Sequence, residues 1–181
     1  MDHRFDQGFR DRIAQRFAAF VREAPEHPDG AALERAAVAI TLLPADAGAA
    51  GFLLTRRAAG LRAHGGQWAL PGGRCDEGET GVQTALRELD EEVGLRLSAD
   101  SVLGVLDDYP TRSGYLITPV VVWAGEAHEP VPNPHEVASV HRIALAQIAR
   151  EDAVDFISIP ESSRRVVRIG IDGHRIHAPT A

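Results

Sequence analysis

The run from residue 80 to residue 94 constrains this chain more than any other, because it reads as one helix with two faces that need opposite surroundings. Thr80-Gly81-Val82-Gln83 fits a capping box, with Thr80 as N-cap and Gln83 reaching back. Gly94 is placed to stop the helix. Val82, Ala85, Leu86, Leu89 and Val93 recur at helical spacing, so one stripe has to be buried. On the opposite face Glu88, Glu91 and Glu92 stand at i, i+3 and i+4. Like charges at that spacing repel, and Glu91 and Glu92 also lie in the last turns, where the helix dipole disfavours anions. Divalent cations would remove both penalties, since hard cations such as Mg²⁺ take carboxylate oxygens and retained waters. The plainer alternative is a solvated acidic face with Arg87 and Glu91 as an ordinary i, i+4 pair. The helix alone does not choose between them.

The loop before it tips the choice towards metal. Pro71-Gly72-Gly73 is a tight turn whose glycines let backbone approach a ligand closely, and it leads through Glu79 into the helix. Elsewhere, residues 36–43 and 51–55 are short apolar runs bounded by turn signals, which predicts strands. Pro44, Gly48 and Gly51 interrupt that weakly charged stretch and argue against a membrane span. Residues 60–73 read as a glycine-rich connection. Residues 101–106, 115–123 and 136–143 predict further strands, and 144–150 a short helix. Asp172-Gly173 predicts a hairpin between 165–171 and 174–177. At the start, Phe5, Phe9, Ile13, Phe17 and Val21 recur every four residues, predicting a helix ended by Pro25 and Pro28. Strands fall before, between and after helices without a strict βαβ rhythm, so the sheet should be mixed. The expected organisation is a single domain: residues 1–30 as a helix packed on a body formed by 31–181.

Composition excludes some functions. A formal net charge of −7 argues against a general nucleic-acid binder. It leaves an anionic substrate open, because local arginines and bound cations can reverse the potential inside a cleft. Cys75 is the only cysteine, so no internal disulfide can form and a cytoplasmic location is expected. Residues 1–6 carry mixed charge and no apolar core, which predicts no signal peptide. No membrane partner is expected, and a homodimer is left open.

Gly73, five residues, Glu79, seven residues, then Arg87-Glu88-Leu89-Asp90-Glu91-Glu92-Val93-Gly94-Leu95 resemble the Nudix box, with each fixed position filled. The resemblance implies an α/β (α+β) fold, the Nudix α/β/α sandwich with a central mixed β-sheet. It implies hydrolysis of a diphosphate linked to another moiety, with Mg²⁺ or Mn²⁺ as cofactor. Glu88 and Glu92 would be the principal metal ligands, Glu91 a further ligand or the base acting on the attacking water. Arg87 would orient the carboxylates through Glu79, and the Gly73 carbonyl would complete the coordination.

A second block narrows the substrate. Leu53-Leu54-Thr55, Arg57-Ala58, Arg62, Gly66 and Pro71-Gly72-Gly73 resemble the extra signature of the coenzyme A diphosphatase branch, with Leu70 where that branch carries Phe. Residues 107–114, Pro119-Val120-Val121 and residues 133–137 resemble it more loosely. The expected reaction is hydrolysis of coenzyme A or an acyl derivative to adenosine 3′,5′-bisphosphate and 4′-phosphopantetheine. Arg57, Arg62, His64 and the Gly72 backbone are candidate substrate contacts, the arginines for extra phosphate oxygens. Arg57 as a strand-end charge and His64 as a hydrogen-bonded loop residue are the plain alternatives. Trp68 is either an adenine platform or core. Glu136 is a second candidate base or late metal ligand, or an exposed loop carboxylate. ADP-ribose, nucleotide sugars, dinucleoside polyphosphates and oxidised nucleotides are the nearest rival substrates. A non-catalytic ligand sensor of the same family would not need Glu88, Glu91 and Glu92 intact.

Overall fold

Strand β1 (Glu34–Pro44) shows how the molecule is layered. The computed structural model describes residues 4–23, 33–61, 65–111, 113–125, 129–157, 166–171 and 174–178 of the chain. Ala37, Ala39 and Leu43 of β1 enter one core while Leu42 enters another, because successive strand side chains point to opposite faces. Strand β2 (Ala50–Arg57) divides the same way, Leu53 on the first side and Phe52 and Leu54 on the second. So does β7 (Tyr115–Trp123), with Val120 and Val122 opposite Val121. Apolar runs of this kind need cover on both faces. Helix α2 (Gly81–Val93) covers the first face through Ala85, Leu89 and Val93. Helix α1 (Gln7–Ala18), the single turn α3 (Leu145–Ile148) and a small second sheet cover the other, through Phe9, Leu145 and Ile171 among others. The architecture is the expected α/β/α sandwich.

The central sheet is mixed. β1 runs parallel to β7 over residues 34–42 and 115–123, and its remaining pairings are antiparallel. Its other edge changes partner along its length: Leu42, Leu43 and Pro44 pair with β2, whereas Ala36, Ala37 and Val38 pair with β4 (Gly72–Arg74). Beyond Phe52, β2 leaves β1 and meets β3 (Trp68–Ala69) through Thr55 and Arg56. The gap opened between β1 and β2 is therefore filled by the β3–β4 turn, and the Pro71 carbonyl there accepts from the Ala39 N–H at 2.8 Å. On its outer edge β2 pairs with β8 (Val137–Ala144), with a register shift between Arg56 and Arg57. Strands β5 (Val102–Val105) and β6 (Tyr109–Pro110) complete the β7 edge.

Several expectations need correction. α1 stops at Ala18 instead of running to Pro25, and Val21 is 82% exposed. Tertiary bonds draw the chain away from the helix: Arg22 reaches the Leu106 carbonyl at 2.9 Å and Asp108 at 2.5 Å, and the Glu23 N–H reaches Asp107 at 2.8 Å. Phe5 lies ahead of the Asp6 N-cap and stacks on Trp123 with ring centroids 3.9 Å apart, so its packing is not helical. The connection at 60–73 contains β3 and the start of β4. The last strands leave the main sheet: β10 (Val166–Ile171) sits between β11 (His174–Ala178) and β9 (Val154–Ile157) in a separate antiparallel sheet. The β10–β11 pairing was expected and β9 was not; Asp172-Gly173, Pro25, Pro28 and the boundary at residue 30 lie outside the described residues. Among the described residues, no helix is long and apolar enough to cross a membrane.

Candidate metal and diphosphate site

The site forms where β1 and β2 diverge and α2 crosses the gap. Both ends of α2 are closed as the sequence implies. The Thr80 N–H donates to Gln83 Oε1 at 2.8 Å, and the Gln83 N–H to Thr80 Oγ1 at 3.3 Å. At the other end Gly94 takes φ 66°, the left-handed turn glycine adopts freely. A loop supplies the remaining partners: the Val131 N–H donates to the Val93 carbonyl and the Asn133 N–H to the Glu92 carbonyl, both at 2.8 Å. Those bonds satisfy carbonyls that a helix end otherwise leaves unpaired.

Two adjacent glycines set how closely sheet and helix meet. A Cβ on Gly72 would lie 2.4 Å from the Ala37 carbonyl oxygen, so glycine lets β4 pack on β1. A Cβ on Gly73 would lie 2.2 Å from Glu88 Oε1, so glycine makes room for a carboxylate against the backbone. The two identical residues serve different ends.

Arg87 organises the acids. Its Nε and Nη2 donate to the two oxygens of Glu79 at 3.0 and 3.1 Å, and Nη2 also reaches the Arg74 carbonyl at 3.0 Å. Nη1 divides itself between Glu88 Oε1 at 2.8 Å and Glu91 Oε2 at 2.9 Å. Glu79 further accepts from the Asp76 N–H at 3.0 Å and the Thr84 hydroxyl at 2.9 Å. The Arg87 hydrogen bonds and the Asp76 amide hold the Glu79 carboxyl down at about 2. The bonds to Glu79, and then those to Glu88 and Glu91, raise the guanidinium of Arg87 further.

The carboxylates nearer the sheet behave oppositely. Glu92 is only 4% exposed, with Gly72 N–H at 3.3 Å and Arg57 Nη1 at 3.4 Å as its partners. Burial, then the neighbouring charge of Glu88, pushes its carboxyl up to about 7, against the pull of Arg57. Burial also raises Glu88, with Arg87 opposing. Glu136 adds to the upward pressure on both, which places its charge beside the pair. The environments thus separate Glu79, held as an anion, from Glu92, whose burial favours the protonated form.

Glu79, Arg87, Glu88, Glu91, Glu92, Gly72, Gly73, Arg57 and Glu136 therefore come together. Arg57 stands on Glu92 in this state, and Arg62 and His64 lie outside the described residues. Within the second sequence block, Leu53, Leu54 and Thr55 are core, whereas Arg57, Gly72 and Gly73 reach the site. Trp68 is half-buried, edge-on to His141 at 4.5 Å. Asp107 and Asp108 bind the segment after α1, and Asp108 also accepts from Thr118 at 2.7 Å. Thr84 was not expected: nothing in its position announces that its hydroxyl supports Glu79. Nor was the role of Asn133, although Asn133-Pro134 is a turn signal.

Among the described residues, no three acidic, histidine or cysteine side chains stand as a ready-made cation cage. Arg87 draws Glu88 and Glu91 to itself and Arg57 shares Glu92, so these side chains must turn to enclose an ion. The donor set nevertheless suits one. It offers hard carboxylate oxygens, those of Glu92 buried and disfavoured as a charge despite Arg57, those of Glu88 half-buried beside a glycine that leaves space at the backbone.

The NUDIX domain profile matches residues 33–160. The chain belongs to the Nudix family. Its similarities within that family include the uncharacterized Nudix hydrolase NudL of Photorhabdus laumondii, 37% identical over 109 residues, covering 60% of this chain and 58% of that protein. NudL of Escherichia coli O7:K1 is 44% identical over 101 residues, 54% and 51% of the two chains. The chloroplastic Nudix hydrolase 22 of Arabidopsis thaliana is 38% identical over 111 residues, 59% and 36%. The chain spans about half the length of the curated NudL relatives it matches. Among solved structures, the Nudix hydrolase RenU from M. smegmatis aligns with a TM-score of 0.50 and 33% identity over 64% of this chain and 73% of that one. A MutT/nudix family protein from Enterococcus faecalis aligns with a TM-score of 0.51 at 21% identity over 91% and 64%, a likeness of fold. The Nudix helix is α2, and β4 is the strand that carries Gly73 to it.

Proposed function

We propose that this chain is a metal-dependent diphosphate hydrolase acting on coenzyme A or its acyl derivatives. It would yield adenosine 3′,5′-bisphosphate and 4′-phosphopantetheine, or the acyl form. The observation that carries the reaction class is the Glu88–Glu92 pair on one helix face, Glu92 buried with Arg57 as its cation and the Gly72 N–H beside it, Glu88 half-buried against Gly73 and Arg87. The relatives named Nudix hydrolases support the same class.

Glu88 and Glu92 would hold Mg²⁺ or Mn²⁺, with Glu91 and the Gly73 carbonyl as further candidate donors. Such an ion neutralises diphosphate oxygens and lowers the pKa of a bound water. The protein's own residues do the rest. Arg87, fixed by Glu79 and the Arg74 carbonyl, sets where Glu88 and Glu91 stand. Arg57 brings the nearest described sheet-side positive charge to the carboxylates and is the candidate for a substrate phosphate oxygen. Arg62 and His64 are proposed contacts on sequence alone. Glu91 and Glu136 are the candidates to take a proton from water. The lone Cys75 suits the reducing cytoplasm we propose as its location.

The coenzyme A assignment rests on the block in which Arg57 and Gly72 reach the site. Its test is a panel of coenzyme A, ADP-ribose, a nucleotide sugar and an oxidised deoxynucleotide with Mg²⁺ or Mn²⁺, with products identified by mass. Adenosine 3′,5′-bisphosphate and phosphopantetheine are expected as preferred products. Preference for ADP-ribose would overturn the substrate while leaving the class. Tight binding without turnover would indicate a ligand sensor.

A further inference from the structure

Asn133 makes more ordered contacts than a surface loop residue requires. Its N–H donates to the Glu92 carbonyl at 2.8 Å, on the helix that carries the acids. Its Nδ2 donates to Glu136 Oε2 at 3.3 Å, and its Oδ1 accepts from the His135 N–H at 3.2 Å. Its own carbonyl accepts from the Glu136 and Val137 N–H groups at 3.0 and 2.8 Å. Glu136 is fixed from the sheet as well, because its carbonyl accepts from the Ala58 N–H at 2.8 Å, next to Arg57. The register shift in the β2–β8 pairing falls at the same place, the kind of irregularity that re-aims a side chain beside a site.

We propose that Asn133 is a positioning residue: it sets the Glu136 carboxylate against the register of α2, so that Glu136 accepts the proton of the attacking water. The inference rests on the diphosphate-hydrolase reading. Glu91 is the weaker acceptor, since Arg87 Nη1 binds it at 2.9 Å. Asn133 holds Oε2 of Glu136, which leaves Oε1 to accept the proton. In the step, a water O–H bond breaks and its proton goes to Glu136. The water oxygen bonds phosphorus as the bridging P–O bond breaks, and the leaving phosphate departs with that electron pair.

Asn133→Asp isolates the contact. It keeps the side-chain oxygen for the His135 N–H and every backbone bond, but sets a negative charge against Glu136. Glu136→Gln should lower kcat about 100-fold or more with KM unchanged, the range for loss of a general base. Asn133→Asp should lower kcat about tenfold or more, again with KM unchanged. The double variant should match Glu136→Gln alone, because Asn133 acts only through Glu136. Hydrogen exchange at the Val131 and Val137 amides, and Mn²⁺ affinity by electron paramagnetic resonance, should be unchanged in Asn133→Asp. Losses that multiply in the double variant, a rise confined to KM, or wild-type kcat in Glu136→Gln would each overturn the proposal. Ratios are taken on whichever diphosphate the wild-type chain cleaves, so an error in the coenzyme A assignment leaves them readable.

Discussion

Replacing Gly72 and Gly73 by alanine one at a time should separate folding from function at neighbouring positions. At Gly73 the new Cβ meets the end of a flexible side chain, Glu88 Oε1, at 2.2 Å. Ordinary contact needs about 3.4 Å, so the carboxylate must retreat by roughly 1 Å. Rotating it off its preferred torsions costs about 0.5–1.5 kcal/mol. Alanine recovers about 0.5–1 kcal/mol over glycine in a strand. Stability should therefore stay within about 1 kcal/mol of wild type, while a misplacement of this size lowers turnover about 100-fold. At Gly72 the Cβ meets backbone, the Ala37 oxygen at 2.4 Å and Val38 Cα at 2.8 Å, which only parting of β1 and β4 relieves. That overpacking should destabilise by about 1–3 kcal/mol, or several degrees in Tm. Urea melts, Mn²⁺ titrations and turnover of the two variants read both quantities. Gly73→Ala retaining wild-type Mn²⁺ affinity and turnover would refute the reasoning.

Further outcomes follow from other contacts. The folded Glu92 carboxyl, at about 7, lies above its ordinary 4.5, so the stability it contributes is complete below pH 4.5 and lost as pH rises through 7. Urea melts of metal-free protein should show a fall of about 3 kcal/mol across that window, much smaller in Glu92→Gln, where only the raised Glu88 contributes, and reduced by saturating Mg²⁺. Glu79 acts in the opposite sense and in a lower window: its contribution is present above 4.5 and fades as pH falls towards about 2. Gly104→Ala drives a Cβ to 2.2 Å from the Phe17 ring, so limited proteolysis should cut the α1 segment faster, with about 1–3 kcal/mol lost in denaturant melts. Thr41 Oγ1 is buried with no hydrogen-bond partner among the described residues, so Thr41→Val should raise stability by about 1 kcal/mol in the same melts.

Local patterns were the legible part of this molecule. The capping box, the core stripe and the glycine stop of α2 are short-range chemistry, and each appears where the spacing puts it. The mixed sheet followed from the order of elements. Long-range competition was not visible: Asp107 and Asp108 end α1's register by binding Glu23 and Arg22 across more than 80 residues. β3 and β4 are too short to announce themselves, and they exist because β1 and β2 separate. At the site, the acids could be read from one helix and the loop before it, but their division into a low Glu79 and a high Glu92 could not. That difference comes from Arg87 on one side and from burial against Gly72 on the other.

The central claim is that the α2 carboxylates exist to hold a divalent cation. Mn²⁺ titration of the purified chain, followed by electron paramagnetic resonance at pH 8, tests it most directly. The wild-type chain should bind Mn²⁺ at a site that Mg²⁺ displaces, and Glu92→Gln should weaken that site by at least tenfold, as loss of a carboxylate ligand requires. Equal Mn²⁺ affinity in the wild-type chain and in Glu92→Gln would contradict the account.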